Sequence, residues 1–150
     1  MLGTLTINGS HPLLQGPQRS MICSLIYVHS NADDVTVEVA AGDNHPVNIS
    51  IERDGEVYII TFPDGVGGSI RDGSFALRVS GETEVITFHR LFGDVNGDAT
   101  VSSSDEAAFN AAYGSLLGEP AYNPAFDYNG DGEIAGADLA AFTANAGKSI

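Results

Sequence analysis

The chain has 150 residues, which allows one medium domain or two small ones. Its 20 acidic and 6 basic residues give a formal net charge of -14. Such a charge repels phosphate backbones and anionic lipid, so we expect no nucleic-acid partner and no binding to an anionic membrane surface. The single cysteine, Cys23, excludes an intrachain disulfide and a CxxC motif, and its apolar neighbours predict a buried thiol.

Membrane insertion is not expected, because no stretch reaches the about 18 apolar residues of a spanning helix. Met1 to Ile7 lack the basic start and apolar centre of a signal peptide. If the protein is exported, we expect its signal to lie outside this chain.

Short β-branched runs separated by turn residues fill the chain up to about residue 92. The predicted strands are Leu5–Ile7, Met21–Val28, Val35–Val39, Val47–Arg53, Val57–Phe62, Phe75–Val79 and Val85–Phe88. In the fourth strand, Val47, Ile49 and Ile51 share one face, and Asp54-Gly55 predicts a hairpin turn into the fifth. About seven strands with frequent turn signals predict an all-β antiparallel sandwich.

The composition changes at Gly93, where the sequence becomes acidic, alanine-rich and repetitive. Residues 94–114 (DVNGDATVSSSDEAAFNAAYG) align without gaps onto residues 127–147 (DYNGDGEIAGADLAAFTANAG). The offset is 33, and 10 of the 21 aligned positions are identical. Two copies are too few for a solenoid, so a paired motif is predicted.

Each copy places acids and amides at positions 1, 3, 5 and 12 of a twelve-residue window. These are Asp94, Asn96, Asp98 and Asp105 in the first loop, and Asp127, Asn129, Asp131 and Asp138 in the second. This spacing is typical of a calcium loop, in which the backbone carbonyl of position 7 adds a further oxygen. Position 7 is Thr100 or Glu133. The sequence therefore predicts two sites, each for one Ca²⁺ ion.

The residues around each loop predict how the unit folds. Alanine-rich runs with Phe109 and Phe142 predict helices from Asp105 to Gly114 and from Asp138 to Gly147, without a helix before either loop. At position 8, Val101 and Ile134 predict a short β-contact between the two loops. Ala99 stands at position 6, where a positive φ is expected, at a cost of about 1 kcal/mol.

The doublet FGDVNGDATVSSSDEAAF and FDYNGDGEIAGADLAAF resembles a type I dockerin module over roughly residues 91–150. This resemblance implies a small, mostly α domain with two calcium loops that docks onto a cohesin-like protein. It also implies that the oxygens named above are the calcium ligands. Family recognition residues stand at loop positions 10 and 11, which are Ser103 and Ser104 here. Gly136 and Ala137 occupy those positions in the second copy.

The upstream part resembles the small immunoglobulin-like (Ig-like) modules that precede such doublets in large bacterial surface proteins. We therefore predict an Ig-like sandwich over residues 1–92 and a dockerin-like domain over residues 93–150. We expect almost no linker between them, with Phe88, Leu91 and Phe92 packing one part against the other.

The sequence offers less support for functions other than docking. His11, His29, His45 and His89 form no metalloprotease spacing, and no GxSxG elbow occurs, so we do not expect an enzyme. Carbohydrate binding by the sandwich lacks an aromatic platform, since Trp is absent. The remaining alternative is a calcium-stabilised structural or adhesion module at the C-terminus of a surface protein, without cohesin binding.

Overall fold

A computed structural model of the chain describes residues 4–8, 18–28, 35–39, 46–81, 83 and 85–150. Of the four histidines, His11, His29 and His45 lie outside the described residues. Within the described residues, no helix is both long and apolar enough to cross a bilayer.

Short strands make up the first part of the described chain, as the β-branched runs predict. They are β1 (Thr4–Asn8), β2 (Ser24–Val28), β3 (Val35–Val39), β4 (Ser50–Asp54), β5 (Val57–Thr61), β6 (Gly73–Val79) and β7 (Val85–Arg90). They form one antiparallel sheet in the order β1-β2-β5-β4 and a second in the order β3-β6-β7.

The alternating strands of both sheets send apolar side chains into one shared core. Leu25 and Ile60 come from the first sheet, Val37 and Leu77 from the second, and all four are buried. Since successive side chains in a strand point to opposite faces, the period-two pattern places one face of each sheet in this core. The predicted antiparallel β region is confirmed.

The fourth predicted strand is wrong in its bounds, because β4 begins at Ser50 instead of Val47. Pro46 bridges Glu38, and the Val47 N–H donates to Val37, so this stretch first follows the second sheet. The chain then crosses over, and β4 pairs with β5 in the first sheet. Ile51 lies opposite the buried Ile60 but is itself 37% exposed in this edge strand, whereas Val47 and Ile49 pack against the core. The predicted Asp54-Gly55 hairpin is confirmed, with Asp54 opposite Val57.

Two helices follow the acidic loops, α1 (Ser103–Ala112) and α2 (Gly136–Asn145). Each begins two residues earlier than predicted and is followed by a glycine with positive φ, Gly114 or Gly147. Phe109 and Phe142 hold equivalent positions in the two copies, and their rings stack with centroids 4.5 Å apart. Strand β7 precedes the first loop and a 3₁₀ turn, Pro124–Phe126, precedes the second, so the absence of a helix before either loop is confirmed for these described segments.

The predicted contact between the two loops is wrong. The Val101 N–H donates to the Lys148 carbonyl (2.9 Å), and the Ile134 N–H donates to the Ser115 carbonyl (3.0 Å). Each loop therefore pairs with the segment that leaves the other copy's helix. The cause is the glycine after each helix, whose positive φ turns the chain back along the opposite loop.

Residues from the β region complete the core of the helical part. Met21, Leu91 and Phe92 are buried in the same cluster as Phe109 and Phe142. Phe88 packs in the core between the strands of the β region instead, so only Leu91 and Phe92 of the three predicted residues lie in this second cluster. Half-buried Cys23, predicted to be a buried thiol, packs against its edge, and burial raises the pKa of that thiol.

The turn before β6 approaches the second loop closely. A Cβ on Gly67, whose φ is +61°, would lie 2.7 Å from the Tyr128 carbonyl oxygen. Both the conformation and the close contact favour glycine here.

Candidate functional site: two acidic loops

The first acidic loop folds around the carboxylate of Asp94, which is fully buried. Its Oδ1 accepts hydrogen bonds from the N–H groups of Gly97 (2.7 Å) and Asp98 (3.1 Å), and its Oδ2 accepts one from Ala99 (3.0 Å). Three consecutive N–H groups therefore converge on one side chain. A left-handed residue at position 6, Ala99 with φ +66°, allows this tight turn.

The carboxylate of Asp105, also fully buried, closes the loop. It accepts from the N–H of Val95 (3.0 Å) and from the N–H of Ser102 (2.9 Å), the residue before α1. The same side chain thus joins the beginning of the loop to the beginning of its helix. A carboxylate in the first turn also interacts favourably with the helix dipole.

The second loop repeats these contacts one by one. The Asp127 carboxylate accepts from Gly130 (2.8 Å), Asp131 (3.2 Å) and Gly132 (2.9 Å). The Asp138 carboxylate accepts from Tyr128 (2.7 Å) and from Ala135 before α2 (2.8 Å). The 33-residue offset read from the sequence is therefore a duplication of three-dimensional structure as well.

Exposed side chains at positions 3 and 5 form the mouth of each loop. Asn96 donates to Asp98 (3.0 Å), and Asn129 donates to Asp131 (2.8 Å). The position-5 carboxylates also accept from the position-7 N–H groups, which belong to Thr100 and Glu133. These contacts hold the amide and carboxylate oxygens on the same side of the loop as the buried aspartates.

The aspartate at position 1 of each loop accepts one further hydrogen bond, which comes from a side chain that precedes the loop. His89 Nε2 lies 2.8 Å from Asp94 Oδ2, and the Tyr122 hydroxyl donates to Asp127 Oδ2 at 2.6 Å. The sequence analysis missed both residues because they differ in type. Their spacing was the available signal, since each lies five positions before its aspartate.

Four buried carboxylates in a net-acidic module create an electrostatic problem. In the described part of the chain, no lysine or arginine forms an ion pair with Asp94, Asp105, Asp127 or Asp138. The pKa of Asp138 is raised, mainly because burial penalises the charged form, and the neighbouring Asp127 and Asp131 add to the effect. Hydrogen bonds satisfy these carboxylates but leave their negative charge unpaired, and burying unpaired charge is costly, so these loops favour a bound cation.

The donor atoms suit a hard cation such as Ca²⁺, which prefers carboxylate, amide and carbonyl oxygens. Among the described residues, no three Asp, Glu, His or Cys side chains by themselves form a group that could hold a metal. The carboxylates direct their oxygens to loop N–H groups instead. A cation in either loop would therefore also draw on the asparagine oxygen and the position-7 carbonyl.

The predicted recognition residues lie beside the first loop. Ser103 and Ser104 are exposed in the first turn of α1. The Ser104 hydroxyl lies 2.8 Å from that of Ser102 and accepts weakly from Asn96 at 3.5 Å. One of the two serines is thus connected to a predicted calcium ligand.

Fold and site together define a paired loop–helix module that follows an antiparallel β region. Residues 92–144 match the family model described as the dockerin type I domain. The C-terminal part of this chain is therefore a type I dockerin-like module.

A solved structure of a type II cohesin–X-dockerin complex from Acetivibrio cellulolyticus, an N-terminal interface mutant, is similar at 14% identity and a TM-score of 0.35. The alignment covers 77% of this chain and 81% of that chain. The search of curated proteins finds no match.

Proposed function

We propose that residues 93–150 bind two Ca²⁺ ions, one in each acidic loop. The ligands would be Asp94, Asn96, Asp98, the Thr100 carbonyl and Asp105 in the first loop, and Asp127, Asn129, Asp131, the Glu133 carbonyl and Asp138 in the second. The observation that carries this proposal is the burial of four carboxylates without a lysine or arginine partner among the described residues. A bound divalent cation would neutralise them.

Calcium binding would also contribute to folding. In the second loop, the charge of Asp127 helps to raise the pKa of Asp138, so these two carboxylates repel each other when no ion is present. In both loops, the twelfth aspartate also holds the first turn of the helix. Neutralising that repulsion stabilises loop and helix together, so binding energy becomes folding energy. We expect dissociation constants in the range of about 10⁻⁷ to 10⁻³ M, the range of sensor and extracellular sites.

Calorimetry of the full chain with Ca²⁺ and with EDTA tests this proposal. We expect EDTA to lower the unfolding temperature, and a calcium titration to fit two sites. Asp94→Ala should remove one of the two binding events and Asp127→Ala the other. An unfolding transition unchanged by EDTA, together with no heat of calcium binding, would contradict the proposal.

We propose further that the module docks its parent protein onto a cohesin-like partner. The match to the dockerin family supports this proposal, because dockerins are interaction modules that bind cohesins. The exposed Ser103 and Ser104 lie on the first turn of α1, at positions 10 and 11 of the predicted calcium loop. A partner that reads this turn would bind only while the loop is ordered, so docking is expected to require Ca²⁺.

A binding screen against a panel of cohesin domains tests the docking proposal. We expect at least one cohesin to bind in millimolar Ca²⁺ and to be released by EDTA. The double variant Ser103→Ala and Ser104→Ala should weaken binding more than Thr143→Ala, which removes an exposed hydroxyl near the end of α2. Failure of every cohesin, with calcium binding intact, would instead favour the structural alternative.

That alternative is a calcium-stabilised adhesion or stalk module, and the junction of the two parts supports it. The Asp72 carboxylate of the β region accepts hydrogen bonds from Arg90, from the Phe92 N–H and from Asn145 of α2. Such a junction would transmit force along the chain without a flexible linker.

We also propose the fold type of the β region, the boundary between the two parts, and the class and location of the protein. The sheet orders β1-β2-β5-β4 and β3-β6-β7 correspond to the ABED and CFG arrangement of constant-type immunoglobulin domains, which supports an Ig-like sandwich. We place the division between the parts at residues 92 and 93, and we propose a non-catalytic protein that works outside the cell or at its surface.

A further inference from the structure

The duplication extends beyond the 21 positions that align in sequence. His89 and Tyr122 are different residue types, an imidazole and a phenol, that can both donate a hydrogen bond. Each lies five residues before the first aspartate of a loop. Both direct that hydrogen bond to the same carboxylate oxygen, Oδ2, at 2.8 Å and 2.6 Å. Two different side chains thus perform the same local task at equivalent positions.

In both loops this contact is the fourth hydrogen bond to the first-position carboxylate. The other three come from N–H groups of the loop itself, which move with the loop. An ionised carboxylate only accepts hydrogen bonds, so His89 must carry its proton on Nε2. The fourth bond is therefore the one that connects the carboxylate to structure outside the loop.

The two donors are held by ordered surroundings. His89 lies on β7 and is paired with Ser74 of β6. Tyr122 is buried, and its N–H donates to the Glu119 carbonyl. Burial raises the pKa of the Tyr122 hydroxyl, and the hydrogen bond to Asp127 adds to the effect.

We propose that His89 and Tyr122 are positioning residues for the two calcium loops, each fixing the carboxylate of one first-position aspartate before the ion binds. This inference rests on the proposed calcium binding. Partners of a metal ligand orient it for binding, and their loss typically costs 10- to 100-fold in metal affinity. The assignment is specific: His89 serves only the first loop and Tyr122 only the second.

One consequence distinguishes the two loops. Tyr122 belongs to the helical part, whereas His89 belongs to the last strand of the β region. The first calcium site is therefore completed by the sandwich. The second is completed within the dockerin-like module.

Calcium titration calorimetry of the full chain tests the proposal, in backgrounds that isolate one loop. Asp127→Ala leaves the first loop, and in that background His89→Leu should weaken Ca²⁺ binding about 10- to 100-fold. His89→Gln, whose amide can donate from a similar position, should restore most of the affinity. Asp94→Ala leaves the second loop, and there Tyr122→Phe should weaken binding by a similar factor.

Matched controls separate positioning from general damage. Tyr113→Phe removes an exposed hydroxyl and should leave both affinities unchanged. Far-UV circular dichroism verifies that each variant folds, and Tyr122→Phe, which deletes one oxygen atom, keeps the test open if His89→Leu does not fold.

The possible outcomes are distinct. If the parent chain binds Ca²⁺ and the His89 and Tyr122 variants bind it equally well, the positioning role is overturned and calcium binding stands. Equal weakening by His89→Leu and His89→Gln would likewise overturn the role for His89. If the parent chain binds no Ca²⁺, the proposed function fails, and the positioning role fails with it.

Discussion

Ala99 is the residue at which the two loops differ most in backbone strain. Its φ of +66° is the single positive value at a non-glycine position in the described residues, and its counterpart in the second loop is Gly132 with φ +85°. A β-carbon in this region contacts the following carbonyl group, which costs about 1–2 kcal/mol. The first loop therefore carries a strain that the second loop does not.

Substituting Ala99→Gly should stabilise the chain by about 1 kcal/mol, because the strain is larger than the entropy that glycine loses on folding. Urea unfolding of the full chain in EDTA and in Ca²⁺ measures the change. We expect the gain in both conditions, since the positive φ closes the loop around Asp94 whether or not an ion is present.

Ala107→Gly is the control for this change. Ala107 is exposed in the middle of α1, where glycine costs about 1 kcal/mol relative to alanine. The two substitutions are chemically identical and should shift the free energy of unfolding in opposite directions. Destabilisation by both would mean that Ala99 carries no backbone strain.

At the scale of single residues, the sequence predicts a site residue where the same residue type stands at equivalent positions of the two copies. It does not predict a residue where two different types have the same role. The calcium-loop pattern predicts the positive φ of Ala99, and the structure confirms it. The same pattern does not reveal His89 and Tyr122, because an imidazole and a phenol do not align as related residues. Only the folded chain shows that both donate to an equivalent carboxylate.

The two helices are nearly identical in length and position but differ at their N-caps. Ser102 precedes α1, and its hydroxyl donates to Asp105 at 3.1 Å. Ala135 precedes α2 and provides no side-chain hydrogen bond, although its backbone has the same extended conformation. Serine is favoured over alanine at N-caps in general, and here its hydroxyl adds a hydrogen bond to the carboxylate that closes the loop.

Replacing Ala135→Ser should therefore stabilise α2, by about 0.5–1 kcal/mol. The reverse change in the other copy, Ser102→Ala, should destabilise α1 by a similar amount. Chemical unfolding of the two variants in EDTA measures both changes without a contribution from metal binding. Equal and small effects of both would show that the Asp105 and Asp138 carboxylates alone cap their helices.

The elements themselves follow from local pattern, and their connections do not. Alternation and alanine-rich runs predict the strands and both helices. The predicted contact between Val101 and Ile134 is wrong. An apolar residue at position 8 indicates that this part of the loop pairs with another segment, but it does not indicate which segment that is. That choice depends on how Gly114 and Gly147 redirect the chain.

At the scale of the whole molecule, the junction depends on one carboxylate from the β region. Asp72 accepts from Arg90 (2.6 Å), from the Phe92 N–H (2.7 Å) and from Asn145 (2.7 Å). Burial lowers the pKa of the Arg90 guanidinium, and the Asp72 carboxylate acts in the opposite direction. Sequence reasoning predicts a short linker here, but these residues are too far apart along the chain for their contacts to be read from it.

Asp72→Ala should therefore loosen the junction and cost about 2–3 kcal/mol, because it leaves the buried Arg90 without its carboxylate. We expect this substitution to cost less than breaking a fully buried ion pair, because the Asp72 side chain is 37% exposed. In calorimetry of the calcium-loaded chain, we expect the parent to unfold in one transition. The variant should unfold in two, the first belonging to the less stable part.

Asp64→Ala provides the matched control for the junction. Asp64 also accepts a hydrogen bond, from Asn48 at 2.7 Å, but this pair is exposed and lies within the β region. Its loss should cost less than about 1 kcal/mol and leave the single transition intact. If both aspartate variants unfold as the parent does, the two parts are coupled through the apolar contacts of Met21, Leu91 and Phe92 rather than through Asp72. A parent chain that already unfolds in two steps would mean that the parts fold independently.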